Sequence, residues 1–347
     1  MRMNTPAGGE NRLRAYTQFL IAILYFLLAR ILARQGAQGL VGDAWSPLVG
    51  QAMLVFLLLV GYTALGFWQN RQIHPVSEQG LPLRSGWTHE AGMGVAVGWA
   101  IALVCVLPMT WNGGIAIVLF TNLSAWGWLL AEAAFFALAA LAEEIAFRGY
   151  GFQRFVHAVG PVAATIGFAG FYALMQSFLP GANFASFAVS LALGVMLSVA
   201  YLRTRALWVS WGLNFGWKAS RALLFGLTVS GVSSHSPVVQ GNPMGPFWVT
   251  GGGFGLDGSW IAFAVILAAL PVLYRLTREL DFRYNVPVIV PGGIPVDLDE
   301  ATRKQHDAAM GTAASAEPSL VQIAPPAAQA QAKPPEQAPP GGTADSQ

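Results

Sequence analysis

Cysteine and charge are both scarce in this sequence. One cysteine, Cys105, stands among 347 residues, so no disulfide can close within the chain and no thiolate cluster can hold a metal. Cys105 lies in an apolar run with no base beside it, which suits a packed residue better than a nucleophile. Asp, Glu, Lys and Arg make up 10% of the chain, against about 25% in a typical soluble protein. With 54% apolar residues, that shortage points to a polytopic membrane protein rather than a soluble enzyme. The net charge of +2 is too small to suggest a nucleic-acid partner.

What is abundant is long apolar runs. A membrane span needs about 20 such residues. Eight candidates run near Tyr16–Leu32, Leu48–Trp68, Gly92–Trp111, Trp126–Phe147, Gly160–Leu179, Phe184–Leu202, Ala206–Gly226 and Ser259–Leu276. The first follows Arg2, Arg12 and Arg14, is too long for a signal core and lacks a cleavage site, so it is expected to stay as a helix. The fold class expected is all-α, a multi-pass bundle of about eight transmembrane helices in the cell membrane. Arg71, Arg84, Arg148, Arg154, Arg203, Arg205, Arg275, Arg278 and Arg283 fall in alternate loops or after the last span, which predicts both termini in the cytoplasm. Arg30 and Arg34 break that pattern. From residue 285 the chain turns to Pro, Ala and Gln, with too few large apolar residues to fold, and is expected to be a disordered cytoplasmic tail.

Charge inside a span is costly, and ionisable residues there point to function. Glu143 and Glu144 stand together near the end of the fourth run, with Arg148 four residues after Glu144. That spacing and order favour a Glu144–Arg148 pair on one helix face. Glu143, about 100° around the helix, then points elsewhere into the bundle, and Glu132 shares its face. Two adjacent acids in different surroundings suit one group that stays ionised and one that can hold a proton, as water activation needs. Interface anchoring by Arg148 is the plainer alternative.

"EEIAFRGY" (residues 143–150) resembles the first motif, Glu-Glu-x-x-x-Arg, of the CAAX prenyl protease and bacteriocin-processing family. These are intramembrane glutamic endopeptidases. The resemblance covers roughly residues 125–258 and includes the closing Phe147, Arg148 and Gly149. "TGGGFGLDGSW" (250–260) is similar to the glycine-rich segment of bacterial members, with Asp257 in place of its acid. The resemblance implies four parts. They are membrane helices at 1–124, a four-helix CAAX-protease-like core at 125–258, a last helix at 259–284 and the tail at 285–347.

The other two motifs depart from the family. Phe-x-x-x-His is matched in spacing by Tyr172 and Gln176, and the third motif by Asn214 and Lys218. Both motif histidines are thus replaced by amides and the final amide by lysine. His74, His89, His157, His235 and His306 all lie elsewhere. The resemblance implies Glu143 as the base, Glu144 and Arg148 shaping its charge, and Gln176 and Asn214 as oxyanion donors. Amides can donate hydrogen bonds but cannot shuttle protons at neutral pH as histidine does. Lys218 is expected to neutralise Glu143 or Glu144, or else to snorkel at an interface. A carboxylate pair without histidine or thiolate is a poor zinc site, so neither metal nor cofactor is expected. Three readings follow. One is a peptidase acting on membrane-associated peptides or proteins by glutamate-activated water. The second is an inactive member that binds such a peptide or a lipidated tail. The third is a transporter, disfavoured because no paired halves with interrupted helices are visible.

Overall fold

The computed structural model describes residues 9–70, 75–111, 114–231, 238–285, 288–289 and 295–296. In chain order the helices are α1 (Gly9–Leu40), α2 (Ser46–Asn70), the single turn α3 (Pro75–Glu78) and α4 (Trp87–Trp111). Strand β1 (Ile115–Leu119) leads to α5 (Leu123–Arg148), α6 (Tyr150–Val159), α7 (Pro161–Ser177), α8 (Phe184–Thr204) and α9 (Trp208–Ala219). A π-helical turn, Ser220–Leu224, continues α9. Strand β2 (Val239–Pro243), the turn α10 (Phe247–Thr250), two 3₁₀ turns, α11 (Trp260–Leu276) and α12 (Arg278–Asn285) complete the bundle. The chain divides into two units, Met1–Val286 and Pro287–Gln347. In the second, β3 (Val288–Ile289) pairs antiparallel with β4 (Pro295–Val296). The rest of the expected tail lies outside the described residues, as do His74, His235 and His306.

This is an all-α membrane bundle, and the chain is a multi-pass membrane protein. Five stretches are long and apolar enough to cross a bilayer: Arg12–Leu40, Ser46–Gln69, Trp87–Thr110, Leu123–Val159 and Phe184–Thr204. The other three expected spans are shorter helices. α7 and α11 have 17 residues each, and α9 has 12 before its π-turn. At 1.5 Å per residue, 17 residues reach only about 25 Å. Leu24, Leu28 and Ile31 on α1 and Phe56 and Val60 on α2 are exposed, as lipid-facing side chains are.

Local sequence fixes the helix ends that place the core. The Asn122 side chain accepts from Ala125 N at 2.8 Å and starts α5. Asn183 and Ser186 form a reciprocal capping box on α8. Gly160, at φ 91, turns the chain into α7, whose first residue is Pro161. Gly149 breaks α5 from α6 where a Cβ would lie 2.3 Å from Ile145 O.

The closest helix pairing is α4 with α9. Gly94 and Gly98 face Gly212 and Gly216, four residues apart on each helix and in parallel register. A Cβ on any of the four would lie 2.2–2.4 Å from a carbonyl oxygen of the other helix. Only glycine lets two backbones approach so closely. Strands β1 and β2, in loops not expected to hold strands, pair antiparallel beyond this contact, with Ile115 opposite Pro243.

Two of the basic residues expected on one side of the membrane, Arg84 and Arg203, meet at the C-terminal end of α8. Arg84 makes a bidentate pair with Glu90 (3.1 and 2.7 Å) and donates to Thr204 O at the end of α8. Arg203 pairs with Asp281 at 3.0 Å and donates to Thr277 Oγ1 at 2.8 Å.

Candidate active site

Glu144 is fully buried and Arg148 nearly so. Arg148 Nη1 donates to Glu144 Oε1 at 3.2 Å, the i,i+4 pair expected. Arg148 Nη2 donates to Gly194 O at 3.2 Å, and its guanidinium lies 5.5 Å from the Tyr172 ring centre. Gly194 is mid-way along α8 (Phe184–Thr204). The acidic pair therefore sits level with the middle of α8. The reason is the break at Gly149. Beyond it, α6 carries the chain on for ten residues with Phe152, Gln153 and Val156 buried, so Arg148 is not at the end of the buried path.

Glu143 faces the other way. Its Oε1 pairs with Lys218 Nζ, and its Oε2 accepts from Asn214 Nδ2 at 3.0 Å. Lys218 is buried, which excludes the snorkelling alternative. Asn214 is fully buried, and the same Nδ2 also donates to Glu144 Oε1 at 3.0 Å. Its two amide protons are thus both spent on carboxylates. None remains for a substrate, so geometry makes Asn214 a positioning residue rather than the expected oxyanion donor.

A cavity of about 820 Å³ reaches this cluster from the α1–α2 loop. Glu143, Gln176, Lys218 and Tyr172 line it, whereas Glu144, Arg148 and Asn214 stand behind the wall. Gln176 Nε2 donates to the Tyr172 hydroxyl at 3.1 Å, leaving a second amide proton for the cavity. At the mouth, Trp45 and Trp128 pack with ring centres 4.9 Å apart. Neither His89 nor His157 lines the cavity.

Asp257 lies behind Lys218. Its carboxylate accepts from Trp217 Nε1 (3.0 Å) and from Ser230 N and Oγ (3.0 and 2.8 Å), and it pairs with fully buried Arg221 at 2.9 Å. Burial pushes its carboxyl up, but the Arg221 charge and hydrogen bond, with Ser230, outweigh that and hold it below the ordinary range. Asp257 thus ties the last turn of α9 to the glycine-rich loop and to Ser230, a cavity residue at φ 50.

Residues 123–220 match the family model described as type II CAAX prenyl endopeptidase Rce1-like. This core is similar to the CAAX proteases. The match opens at α5 and closes just after α9, so it takes in all six expected site residues. The glycine-rich segment around Asp257 falls outside it. Comparison with curated proteins and with solved structures gives no match. Sequence reading missed two features of the Rce1-like core. The four glycines set the height of α9 and so of Asn214 and Lys218. Their signal was present, as Gly-x-x-x-Gly in both "GVAVG" and "GLNFG". Tyr172, noted only for its spacing, seats Arg148 and Gln176.

Proposed function

We propose that this protein is an intramembrane glutamic endopeptidase in which Glu143 activates water. The observation that carries the reading is that Glu143, of the two acids, opens onto the cavity, with Lys218 and Gln176 beside it. Glu143 takes a proton from water as the oxygen attacks the peptide carbonyl. Negative charge then leaves the carboxylate and appears on the carbonyl oxygen. Lys218 lies close enough to serve as counter-ion to both, so little reorganisation is needed, and Gln176 donates a hydrogen bond to the oxyanion. Protonated Glu143 returns its proton to the leaving amine. Glu144, Arg148 and Asn214 hold Glu143 in place. Substrates are membrane-associated peptides or proteins. The basic end of the bundle faces the cytoplasm, with both termini there.

One observation favours a second reading. Lys218 already occupies one oxygen of the base, as it would in an inert structural ion pair of a member that binds without cutting.

The test is hydrolysis of a fluorogenic peptide library in detergent. Wild type is expected to cleave, and Glu143→Ala to abolish cleavage while the protein still folds, with a lowered melting temperature because buried Lys218 loses its partner. A silent wild type beside an active Gln176→His/Asn214→His variant would replace this reading with the second.

A further inference from the structure

The cavity holds a second carboxylate that water activation does not use. Glu132 lies on the α5 face shared by Trp128, Phe136 and Glu143, between the tryptophan mouth and the site. Its Oε2 is buried without a hydrogen-bond partner, and no basic side chain among the described residues forms an ion pair with it. Glu143 differs, since its charge is met by Lys218. Arg30 and Asp43 also line the cavity, toward its mouth.

A carboxylate set in an apolar wall is costly unless a cation meets it. Here the wall beside it is aromatic, with Trp128 one turn before Glu132 and Phe136 one turn after. Aromatic faces and a carboxylate together suit an ammonium or guanidinium group. We propose that Glu132 is a specificity-determining residue that binds a cationic side chain of the substrate, a lysine or arginine held inside the cavity. This rests on the peptidase reading for its purpose but not for its measurement.

The helix supplies a ruler. Glu132 is eleven residues before Glu143, about 16 Å along the helix axis. An extended peptide covers that in about five residues. The basic residue therefore lies about five positions from the bond that is cut.

The probe is n-octylamine, with n-octanol as its uncharged match, titrated by calorimetry in a nonionic detergent. Wild type is compared with Glu132→Gln, which keeps size and removes charge. A charged hydrogen bond is worth about 1.5–3 kcal/mol, so octylamine is expected to bind wild type about ten-fold or more tightly than it binds Glu132→Gln, and octanol to bind both alike. Equal octylamine affinity for the two proteins, absence of binding to both included, overturns the proposal. Binding is read without turnover. A silent peptidase that keeps the octylamine preference fails the peptidase reading alone, and an active one without the preference fails this inference alone.

Discussion

Alanine at Gly216 puts a methyl group 2.4 Å from Val95 O, and alanine at Gly212 puts one 2.2 Å from Ala91 O. Ordinary contact begins at 3.4 Å, and both neighbours are backbone, which cannot rotate aside. Helix α9 therefore has to retreat from α4 by about 1 Å. Asn214 sits between the two glycines, fully buried, with both its hydrogen bonds at 3.0 Å. A shift of that size stretches or crowds both. Overpacking costs about 1–3 kcal/mol, and each hydrogen bond to a charged group about 1.5–3 kcal/mol. The double variant Gly212→Ala/Gly216→Ala is expected to lose about 4–9 kcal/mol in all, one overpacking cost plus the two hydrogen bonds, since helix retreat relieves the rest of the overpacking. Thermal unfolding in detergent reads the loss, and peptide cleavage reads the displaced Lys218. Gly127→Ala is the control. It lies on α5 with nothing within 4 Å of its added carbon, so it should be neutral or gain up to about 1 kcal/mol. If Gly216→Ala melts at the wild-type temperature, the glycine contact does not set the position of α9 and the reasoning fails.

Two further outcomes follow from the ion pairs. Arg148→Met strands fully buried Glu144 without its cation and is expected to cost about 3–5 kcal/mol. Adding Glu144→Gln should recover much of that loss in a double-mutant cycle by thermal unfolding, and strict additivity would refute the pairing. Asp257→Asn leaves buried Arg221 unmatched at a similar cost of about 3–5 kcal/mol. Because the Asp257 carboxyl is held below its ordinary value, its contribution is full above about pH 4 and fades only as pH falls through the lower folded value. The melting-temperature gap between wild type and Asp257→Asn should stay constant from neutral pH to about 4 and narrow below it. A gap that closes well above pH 4 would contradict the ion pair.

The parts of the site legible in the sequence were those set by helix spacing. Glu144 to Arg148 is one turn, so their pairing followed from geometry within one helix, and the opposite aim of Glu143 followed from the same rule. Lys218 facing Glu143 required two helices to meet, and only the cost of a lone buried charge suggested it. Asn214 was legible only in part, for a related reason. Spacing placed it at the site, but which groups its amide protons reach depends on the height of α9, which the glycines decide. Arginine ordinarily marks a membrane boundary. Arg148 is instead held inside by a carboxylate, a carbonyl and an aromatic ring. The helices α7, α9 and α11 came out shorter than their apolar runs because such a run does not say how much of itself is helix.

The α4–α9 contact also bears on how the cavity is walled. Interlocked backbones and the β1–β2 ribbon tie these two helices together, which holds Lys218 at a fixed height on the cavity wall. The opposite wall is built otherwise. The spanning stretch of α2 is 22% buried, against 67% for α8, and it meets α5 near the mouth through the loop residue Trp45 and its ring contact with Trp128. Between that wall and the acids with Lys218 stand two packed indole rings, those of Trp45 and Trp128.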